Sequence, residues 1–592
     1  MRILGISAHY HDSAAALLVD GVPVCAVQEE RLSRHKNDAT FPAGAIEWCL
    51  DHAKLDPADL DAVVFYERGM LKFERILTCA LRAFPRSWKS FPHAIKNSLG
   101  EKVWVRGIIS SHLGVPRAKI LFTGHHHAHA ATALLTAPTR HAAILTADGV
   151  GEWATLTAGH GERRPGAGGG TRITLLREVR YPHSLGMLYS TFTAYLGFAV
   201  NEGEYNVMGL AAYGRPTMTD AVRKVIRRTP DGAFALEMDY FEYQTTAARS
   251  YSPRFVELFG PPRNPYQPID FATAEGQRFA DCAASVQRVL EDTLVEMTRA
   301  LQRETGLSDL CLAGGVALNG VANARILAES GFERVFVPSA PGDAGCALGA
   351  ALYADRIYLG NPDRDVPDHP FWGPPVDAEE LARAAREDGQ TVEELDDAVL
   401  IERIADQLAA GRIVGWMDGA SEFGPRALGH RSILAAPHSG EMRDRLNRDI
   451  KDREEFRPFA PVTPIETADR YFELPPGGAR LARFMSGVFP VRPEWRARLA
   501  AITHVDGSAR LQALEREMAP RLHALLEAYG RRSGIPVLLN TSFNVAGEPI
   551  VNRALEGYST FRRCGIDALV AGPTLVTKRA VSPARPLKEE VA

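Results

Sequence analysis

Residues 2–28 read RILGISAHYHDSAAALLVDGVPVCAVQ, and this stretch decides the predicted fold. Arg2 to Ser7 is a short apolar run typical of a buried strand, and a polar turn follows at His9 to Asp12. Ser13 to Asp20 predicts a second strand, and Gly21 makes the turn into a third strand, Val22 to Gln28. The chain is therefore predicted to begin with a strand, a polar turn and an antiparallel hairpin.

The same arrangement recurs at residues 142–159, which read AAILTADGVGEWATLTAG. An apolar strand, an Asp-Gly turn and a second strand follow one another there. This pattern is similar to the start of actin-like and sugar-kinase ATPase folds, in which the first turn faces phosphate. Two such units predict a duplicated phosphate-binding α/β fold.

A third glycine turn follows the apolar strand in LCLAGGVALN, Leu310 to Asn319, and a helix is predicted to begin near Gly320. Backbone N–H groups at such a turn and helix start form an anion site. We therefore predict nucleotide binding at Gly314, Gly315 and Asn319. The alternative is a plain tight turn, but a similar turn downstream, PGDAGCALGA, favours ligand binding.

A metal site is predicted from three separate stretches. His125 and His129 lie four apart in GHHHAHAATALL, so on a helix both imidazoles share one face. Asp148 in TADGVGE and Asp343 in PGDAGCALGA each lie in a glycine-rich turn. Two imidazoles with two carboxylates suit Fe, Mn or Zn better than Mg or Ca. The alternative is a buried structural element, since HxxxH lacks the glutamate of the HExxH zinc motif.

The clearest domain boundary is residues 361–377, NPDRDVPDHPFWGPPVD, which are rich in proline and charge. It predicts one domain over residues 1–365 and another over residues 378–592. Residues 162–171, ERRPGAGGGT, are predicted to be a surface loop.

Positive charge in the second domain lies beside glycine, proline and aromatic residues, in SEFGPRALGHRSIL and NRDIKDREEFRPFAPV. The planar fork of arginine suits phosphate and carboxylate. Arg426, Lys451 and Arg457 are therefore predicted to form an anion pocket. The alternative, solvated surface charge, is the interpretation adopted for Arg453.

An apolar strand in IPVLLNTSFNVAGEPIV ends in a run of side-chain donors and acceptors that includes Asn540 and Ser542. A strand end of this kind suits recognition of a nucleotide or another small polar group. The alternative is that these are turn-forming residues.

Bulk composition narrows the class of protein. The 592 residues carry a formal net charge of -4, so no global basic field recruits nucleic acid. Seven cysteines without a CxxC pair fit a reducing cytosol, and a cytoplasmic location is expected. The N-terminus lacks a signal-peptide pattern and no apolar run reaches ~18 residues, so no membrane span is expected.

Several segments together resemble the NodU/CmcH family of O-carbamoyltransferases, which includes antibiotic-tailoring enzymes. They span nearly the whole chain in family order: HDSAAALLVDG, EERLSRHKND, HHHAHAA, DGVGE, MGLAAYG, GGVALNG, PGDAGCALGA, SEFGPRALGHRSIL, FRPFAP, HVDGSARLQ and LLNTSFNVAGEPIV. The resemblance implies an α/β protein with an actin-like, ASKHA-type duplicated N-terminal domain and a YrdC-like α/β C-terminal domain.

The resemblance also implies a staged reaction. Carbamate from carbamoyl phosphate attacks ATP in the YrdC-like domain, giving carbamoyl-adenylate and pyrophosphate. The carbamoyl group then passes, at the metal site, to a hydroxyl of a specialised metabolite such as an antibiotic sugar or polyketide. Family ligands for carbamoyl phosphate and the adenylate correspond to Arg426, Lys451, Arg457, Arg510, Asn540 and Ser542. Family metal ligands, often filled by iron, correspond to His125, His129, Asp148 and Asp343.

An alcohol acceptor needs a base, for which His11 in the first turn is the candidate, with Asp12 as its partner. The expected cofactors are Fe²⁺ or another divalent metal, with Mg²⁺ accompanying ATP. The expected partner is a small-molecule hydroxyl acceptor rather than nucleic acid or membrane, and a homodimer is compatible with the sequence. One departure is Asn206, where many relatives carry lysine.

Three alternatives remain open from the sequence. An actin-like nucleotide sensor or scaffold would use the first domain and leave the cationic pocket without purpose. Carbamoyl transfer to a protein cysteine is disfavoured because no CxxC motif or acylphosphatase module is visible. A tRNA-modifying role is disfavoured by the absence of a basic stripe.

Overall fold

The computed structural model describes residues 1–84, 104–164, 170–229, 232–246, 249–454 and 456–578. Part of the predicted loop at residues 162–171 and the last residues of the chain lie outside these ranges. None of the helices within them combines the length and hydropathy of a membrane span.

The N-terminal part contains two mixed sheets of the same topology. The first has the order β3-β2-β1-β4-β5, and the second has the order β12-β11-β6-β7-β8. In each sheet an antiparallel meander is followed by parallel strands. The parallel pair β1 and β4 in the first sheet corresponds to the parallel pair β6 and β11 in the second. The strands of the first sheet are β1 Arg2–Ser7, β2 Ala14–Val19, β3 Val22–Gln28, β4 Ala62–Phe65 and β5 Ile120–Phe122. Those of the second are β6 His141–Ala147, β7 Ala154–Glu162, β8 Arg172–Arg180, β11 Asp309–Ala313 and β12 Arg334–Phe336; β9 Ile226–Arg228 and β10 Phe234–Leu236 form a separate ribbon.

The shared topology confirms the predicted duplicated, actin-like fold. The strands predicted at Arg2 to Ser7 and Val22 to Gln28 have those bounds in the structure. The apolar residues of β1 and β2 are almost entirely buried, and the removal of their side chains from water stabilises the fold.

Two small-residue helices pack between the sheets, His125–Leu135 and Gly345–Tyr353. They approach closely, because a Cβ on Gly349 would lie 2.1 Å from the backbone oxygen of Ala128. A Cβ on Gly5 of β1 would similarly lie 1.9 Å from the backbone oxygen of Ala347. The glycines of this region therefore bring the turn at Asp343 and the start of the histidine helix together.

Further helices cover the outer faces of the N-terminal part. The longest, Ala274–Thr305, packs against Glu204–Ala211, Thr219–Val225 and Gly320–Glu329. The others are Glu30–Ser33, Ala43–Ala53, Gly69–Arg82, Val105–Leu113, Leu185–Tyr195 and Pro253–Phe259.

The C-terminal part is built on a mixed sheet in the order β14-β24-β23-β15-β17-β22-β18-β21. Its strands are β14 Thr391–Glu394, β15 Val414–Met417, β17 Arg431–Ala435, β18 Ala460–Pro464, β21 Gln512–Leu514, β22 Leu538–Ser542, β23 Ala568–Ala571 and β24 Thr574–Thr577. Two ribbons flank it, β13 Phe371–Pro375 with β16 Ala420–Glu422 and β19 Val488–Pro490 with β20 Ser508–Arg510. Its helices are Ala378–Glu387, Asp397–Ala409, Gly440–Leu446, Ala468–Tyr471, Gly478–Ala482, Pro520–Ser533 and Ala554–Arg563.

The stretch predicted as a linker is more ordered than its composition indicates. Its second half forms β13, which pairs with β16. In its first half Asp363 is buried and accepts hydrogen bonds from the guanidinium groups of Arg163 and Arg356. The prediction of a surface loop at residues 162–171 is wrong for Arg163, which is 4% exposed, because this ion pair holds it inside.

Candidate active site: a buried His/Asp group and a cationic pocket

The two predicted metal-ligand histidines lie one helical turn apart with their Nε2 atoms 3.2 Å from each other. The helix that carries them begins at His125, whose backbone N–H donates to both carboxylate oxygens of Glu152 at 3.1 Å. An acidic side chain at a helix N-terminus stabilises it through the unpaired N–H groups and the helix dipole. Glu152 was not predicted, although it is the last residue of the DGVGE motif.

The two predicted carboxylates complete the group. Asp148 Oδ2 lies 3.1 Å from His125 Nε2, and its Oδ1 accepts the backbone N–H of Gly315 at 2.9 Å. Asp343 Oδ1 lies 3.3 Å from His129 Nε2 and 3.7 Å from His125 Nε2. All four side chains are buried. The structure therefore brings together the residues that the sequence placed on three separate stretches.

The donor set fits a divalent metal ion. Asp343 Oδ2 is buried and has no hydrogen-bond partner among the described residues, whereas Oδ1 faces the two imidazoles. Unpaired buried carboxylate oxygens are costly, and a cation removes that cost. The thiol of Cys346 is a further buried donor that sequence reasoning missed; its Sγ and ligand atoms of His125, His129 and Asp343 all lie within 4.8 Å of one another.

The electrostatics of the group show excess negative charge. Burial alone would lower the pKa of His125, but Asp343 and Asp148 outweigh it and raise this pKa to about 9. Burial would raise the pKa of Asp148, yet His125, His129 and the Gly315 N–H hold it well below its usual value. His126 is different, because it is engaged by Thr146 and the Ala154 carbonyl and burial lowers its pKa to about 3.

His11 and Asp12 lie in the turn after β1 and line the same cavity as Asp148. His11 Nδ1 is 2.8 Å from Asp12 Oδ2. Burial opposes protonation of His11, but the hydrogen bond to Asp12 and the nearby carboxylates raise its pKa to about 9. The imidazole is thus protonated near neutral pH in the metal-free protein, and a base role requires that this proton first be lost.

The glycine turn, where nucleotide binding is predicted at Gly314, Gly315 and Asn319, makes several contacts within the protein. Gly314 has a φ of 92°, and a Cβ there would lie 2.2 Å from the Ala147 oxygen. The Gly315 N–H is used by Asp148. The Asn319 side chain caps the helix that begins at Gly320 and exchanges hydrogen bonds with Gln287. Gly315 and Asn319 also line the cavity, and nucleotide binding at these residues stays a prediction.

A second cluster lies on the C-terminal part, where the predicted cations converge. The residues that line the cavity here are Arg426, Lys451, Arg453, Arg457 and Arg510. Lys451 Nζ contacts four oxygens of Ser542 and Asn544 within 3.3 Å. The structure thus gathers residues from two strands, β20 and β22, one helical segment, Asn447–Lys451, and the loops that carry Arg426, Arg453 and Arg457 into one pocket.

The cations of this pocket are poorly compensated. Burial lowers the pKa of Arg426 to about 10, and burial together with Arg457 lowers that of Arg453 to about 9. Burial and the neighbouring guanidinium groups hold the pKa of Arg510 well below its usual value. Arg457 pairs with Glu454 at 3.6 Å, whereas no ion pair with a carboxylate of the described residues holds Arg426, Arg453 or Arg510. Closely spaced cations of this kind are stabilised by an anionic ligand.

Two neutral groups of the pocket have defined places. The amide of Asn540 donates to Gln512, while its buried Oδ1 has no partner among the residues described. Ser542 Oγ donates to Asn544 Oδ1 at 2.7 Å, which fixes the loop beneath Lys451. Asn540 and Ser542 therefore lie where the sequence predicted, at the end of β22.

Three outcomes differ from or extend the sequence interpretation. Arg453 was assigned to the solvated surface, but it lines the cavity and stacks on Phe459 at 4.4 Å. Tyr205 was not predicted, although its ring lies 4.7 Å from the guanidinium of Arg457. Asn206 follows Tyr205 on the same helix but is buried and does not line the cavity.

A cavity of about 830 Å³ is lined by the cations of this pocket and also by Asp148 of the His/Asp group. Its wall includes Asp148 and His11 from the N-terminal part and Lys451 and Arg510 from the C-terminal part. Side chains of the helix Glu204–Ala211 also line it. The cavity therefore brings the cationic side chains and Asp148 to one shared space.

The duplicated actin-like fold thus carries a buried His/Asp group, and Asp148 of this group lines the same cavity as a cluster of arginines. Residues 2–352 match the family model Carbamoyltransferase N-terminus, and residues 405–578 match Carbamoyltransferase C-terminus. The chain belongs to the carbamoyltransferase family, as the sequence motifs predicted, and is an enzyme of that class.

Named relatives agree with this assignment. The chain is 42% identical to uncharacterized protein sll1178 of Synechocystis sp., over 98% of this chain and 97% of that protein. It is 36% identical to nodulation protein NolNO of Sinorhizobium fredii, over 97% of this chain and 80% of that protein. It is also 36% identical to the 3'-hydroxymethylcephem-O-carbamoyltransferase of Streptomyces clavuligerus, over 51% of this chain and 55% of that enzyme.

Proposed function

We propose that this protein is an ATP-dependent O-carbamoyltransferase that works through carbamoyl-adenylate. The observation that carries the proposal is the cavity whose wall contains both the cationic side chains and Asp148, with His11 and Asp12. An unstable anionic intermediate is protected when its route between two sites is short and shielded from bulk water, and a shared cavity shortens that route. YrdC-like chemistry is accordingly assigned to residues 378–592 and carbamoyl transfer to residues 1–365.

The cationic pocket suits the first half of the reaction. Water cleaves carbamoyl phosphate to carbamate and phosphate, and a carbamate oxygen then attacks the α-phosphorus of ATP. The new P–O bond forms as the bond to pyrophosphate breaks, so pyrophosphate leaves with its electron pair. Arg426, Arg457 and Arg510 bring the two anions together and stabilise charge on the transferring phosphoryl group. Lys451 fixes the loop of Ser542 and Asn544 against the same pocket.

The His/Asp group suits the second half. An acceptor hydroxyl attacks the carbamoyl carbon, its proton is removed, and AMP leaves. His125, His129, Asp148 and Asp343 would hold a divalent cation such as Fe²⁺, which when bound offsets the charge of the leaving phosphate and lowers the pKa of His11. His11, oriented by Asp12, then accepts the hydroxyl proton.

The acceptor is proposed to be a hydroxyl of a specialised metabolite. Support comes from the names of two relatives, a nodulation protein and a cephem O-carbamoyltransferase. The cavity volume of about 830 Å³ is within the range of small-molecule sites.

Pyrophosphate release tests the proposal. The protein is mixed with ATP, Mg²⁺ and carbamoyl phosphate, and pyrophosphate is measured with and without carbamoyl phosphate. Release that depends on carbamoyl phosphate is expected. ATP binding without such release under any metal condition would refute the adenylate mechanism and favour a nucleotide sensor.

A further inference from the structure

A short segment of the N-terminal part contacts both halves of the site. We name residues 28–40 the strap; it contains the one-turn helix Glu30–Ser33. At its end the strap is tied to the turn that carries His11 and Asp12. The backbone N–H of His9 donates to the Ala39 carbonyl and that of Ser13 to the Asp38 carbonyl, both at 2.9 Å.

The strap is tied to the C-terminal part at two further places. Arg31 donates to the carbonyl of Gly424 at 2.7 Å, two residues before Arg426. Arg34 donates to the carbonyls of Ile550 at 2.7 Å and Pro549 at 2.9 Å. Hydrogen bonds from a charged donor are among the stronger ones in proteins.

The contact made by Arg34 continues into the cationic pocket. The carbonyl of Glu548, next to Pro549, accepts a hydrogen bond from the Asn544 amide at 2.7 Å. The same Asn544 accepts a hydrogen bond from Lys451 at 2.8 Å. Arg34 also lies 3.3 Å from the carboxylate of Glu556. Its side chain therefore fixes the loop at residues 543–550 from outside.

The strap also forms part of the cavity wall. Arg31, Lys36 and Asn37 line the cavity, whereas Arg34 does not. Arg34 thus holds the wall against the C-terminal part without touching the space that a substrate occupies. Its removal is expected to open the seam between the strap and residues 543–550.

We propose that Arg34 is a positioning residue that closes this seam and so keeps the activated intermediate inside the cavity until an acceptor arrives. This inference rests on the proposed function, because it concerns the fate of the carbamoyl-adenylate. Escape of the intermediate into water would hydrolyse it to AMP, ammonia and carbon dioxide. A closed seam therefore couples ATP consumption to carbamoyl transfer.

The experiment needs no acceptor. Metal-loaded full-length protein is mixed with ATP, Mg²⁺ and carbamoyl phosphate, and pyrophosphate and AMP are followed from the first turnover. Wild type is expected to give a burst of pyrophosphate and then a slow rate, because the intermediate is retained. Arg34→Met is expected to keep the burst and to raise the later rate at least about tenfold, the ratio that ~1.4 kcal/mol gives.

Two further variants make the outcome decisive. Arg34→Lys keeps the charge but not the two-armed geometry, so its later rate is expected to lie between wild type and Arg34→Met. Arg299→Met is the matched control: Arg299 also donates to a backbone carbonyl, that of Glu329, but within the N-terminal part. Its later rate is expected to equal that of wild type.

The inference is overturned if the later rate in Arg34→Met and Arg34→Lys stays within about twofold of wild type, or if burst and later rate fall together. It is also overturned if wild type itself turns over at the rate of the variants. Complete absence of pyrophosphate from wild type is a different result, which refutes the proposed function instead.

Discussion

Replacement of Arg426 by methionine is expected to stabilise the ligand-free protein while it damages the reaction. Burial lowers the pKa of Arg426 from 12.5 to about 10, so holding this guanidinium charged in the folded chain costs about 3 kcal/mol. The structure gives Arg426 no carboxylate partner among the described residues. Arg426→Met is therefore expected to raise the free energy of unfolding by about 1–3 kcal/mol, since methionine keeps part of the side-chain packing.

The same change removes a fixed positive charge from the anion pocket. Loss of one such group from a preorganised site costs about 10²–10³ in rate. We expect that kcat/KM for carbamoyl phosphate in pyrophosphate release falls by about this factor. Thermal unfolding with and without carbamoyl phosphate plus ATP measures the stability, and a steady-state pyrophosphate assay measures the rate.

Arg403→Met is the matched control, because Arg403 is exposed and pairs with Glu393 far from the cavity. It is expected to change neither quantity appreciably. The reasoning would be refuted if Arg426→Met unfolded at a lower temperature than wild type without ligands and kept its activity. That pair of results would mean that Arg426 is compensated in the folded protein and takes no part in binding.

Three further predictions concern the N-terminal site. His129→Ala is expected to lose bound metal and carbamoyl transfer but to keep carbamoyl-phosphate-dependent pyrophosphate release. Metal analysis and the pyrophosphate assay measure this, and equal loss of both activities would contradict the division into two sites. Divalent metal at about 100 times its Kd is expected to stabilise the chelator-treated protein by about 2.7 kcal/mol, measured as a rise in its unfolding temperature. Asp343→Asn is expected to show no such rise, and a variant that shifts like wild type would exclude Asp343 as a ligand. Gly314→Ala is expected to lower the free energy of unfolding by about 1–3 kcal/mol, because the φ of residue 314 is 92° and the new Cβ would lie 2.2 Å from the Ala147 oxygen. An unchanged denaturation midpoint would count against this strain.

Local patterns predicted the elements that the backbone builds from nearby residues. The start of the chain, from β1 to β3, is set by an apolar run, a polar turn and a Gly-containing hairpin, all of which are visible in the sequence. The i, i+4 spacing of His125 and His129 likewise placed both imidazoles on one helix face. These features depend on spacing along the chain, which the sequence contains directly.

Features set by distant contacts were harder to predict. Arg453 has the composition of a surface residue, and only the packing of Phe459 and the loop around it turns this side chain into the cavity. Asp363 lies in a proline-rich stretch typical of a linker, yet Arg163, some two hundred residues earlier, buries it. The pKa of His11 also depends on Asp148 and Asp343, which reach it only in the folded chain.

The resemblance to a family added what neither spacing nor composition supplied. Arg510 shows no local signal for anion binding, and it was placed in the pocket through the HVDGSARLQ motif. Cys346 was missed for a different reason. Its place near Asp343 in PGDAGCALGA is visible in the sequence, but its approach to the histidines depends on packing between two helices.

The central claim is that carbamate captures the α-phosphoryl group of ATP in this cavity before the carbamoyl group moves on. Carbamoyl phosphate labelled with ¹⁸O in its carbonyl group tests it most directly, with the AMP product analysed by mass spectrometry. The account predicts ¹⁸O in the phosphoryl group of part of the AMP, because the carbamate oxygen that attacks phosphorus stays there when the carbamoyl carbon is attacked. AMP that forms together with pyrophosphate but carries no ¹⁸O would contradict it.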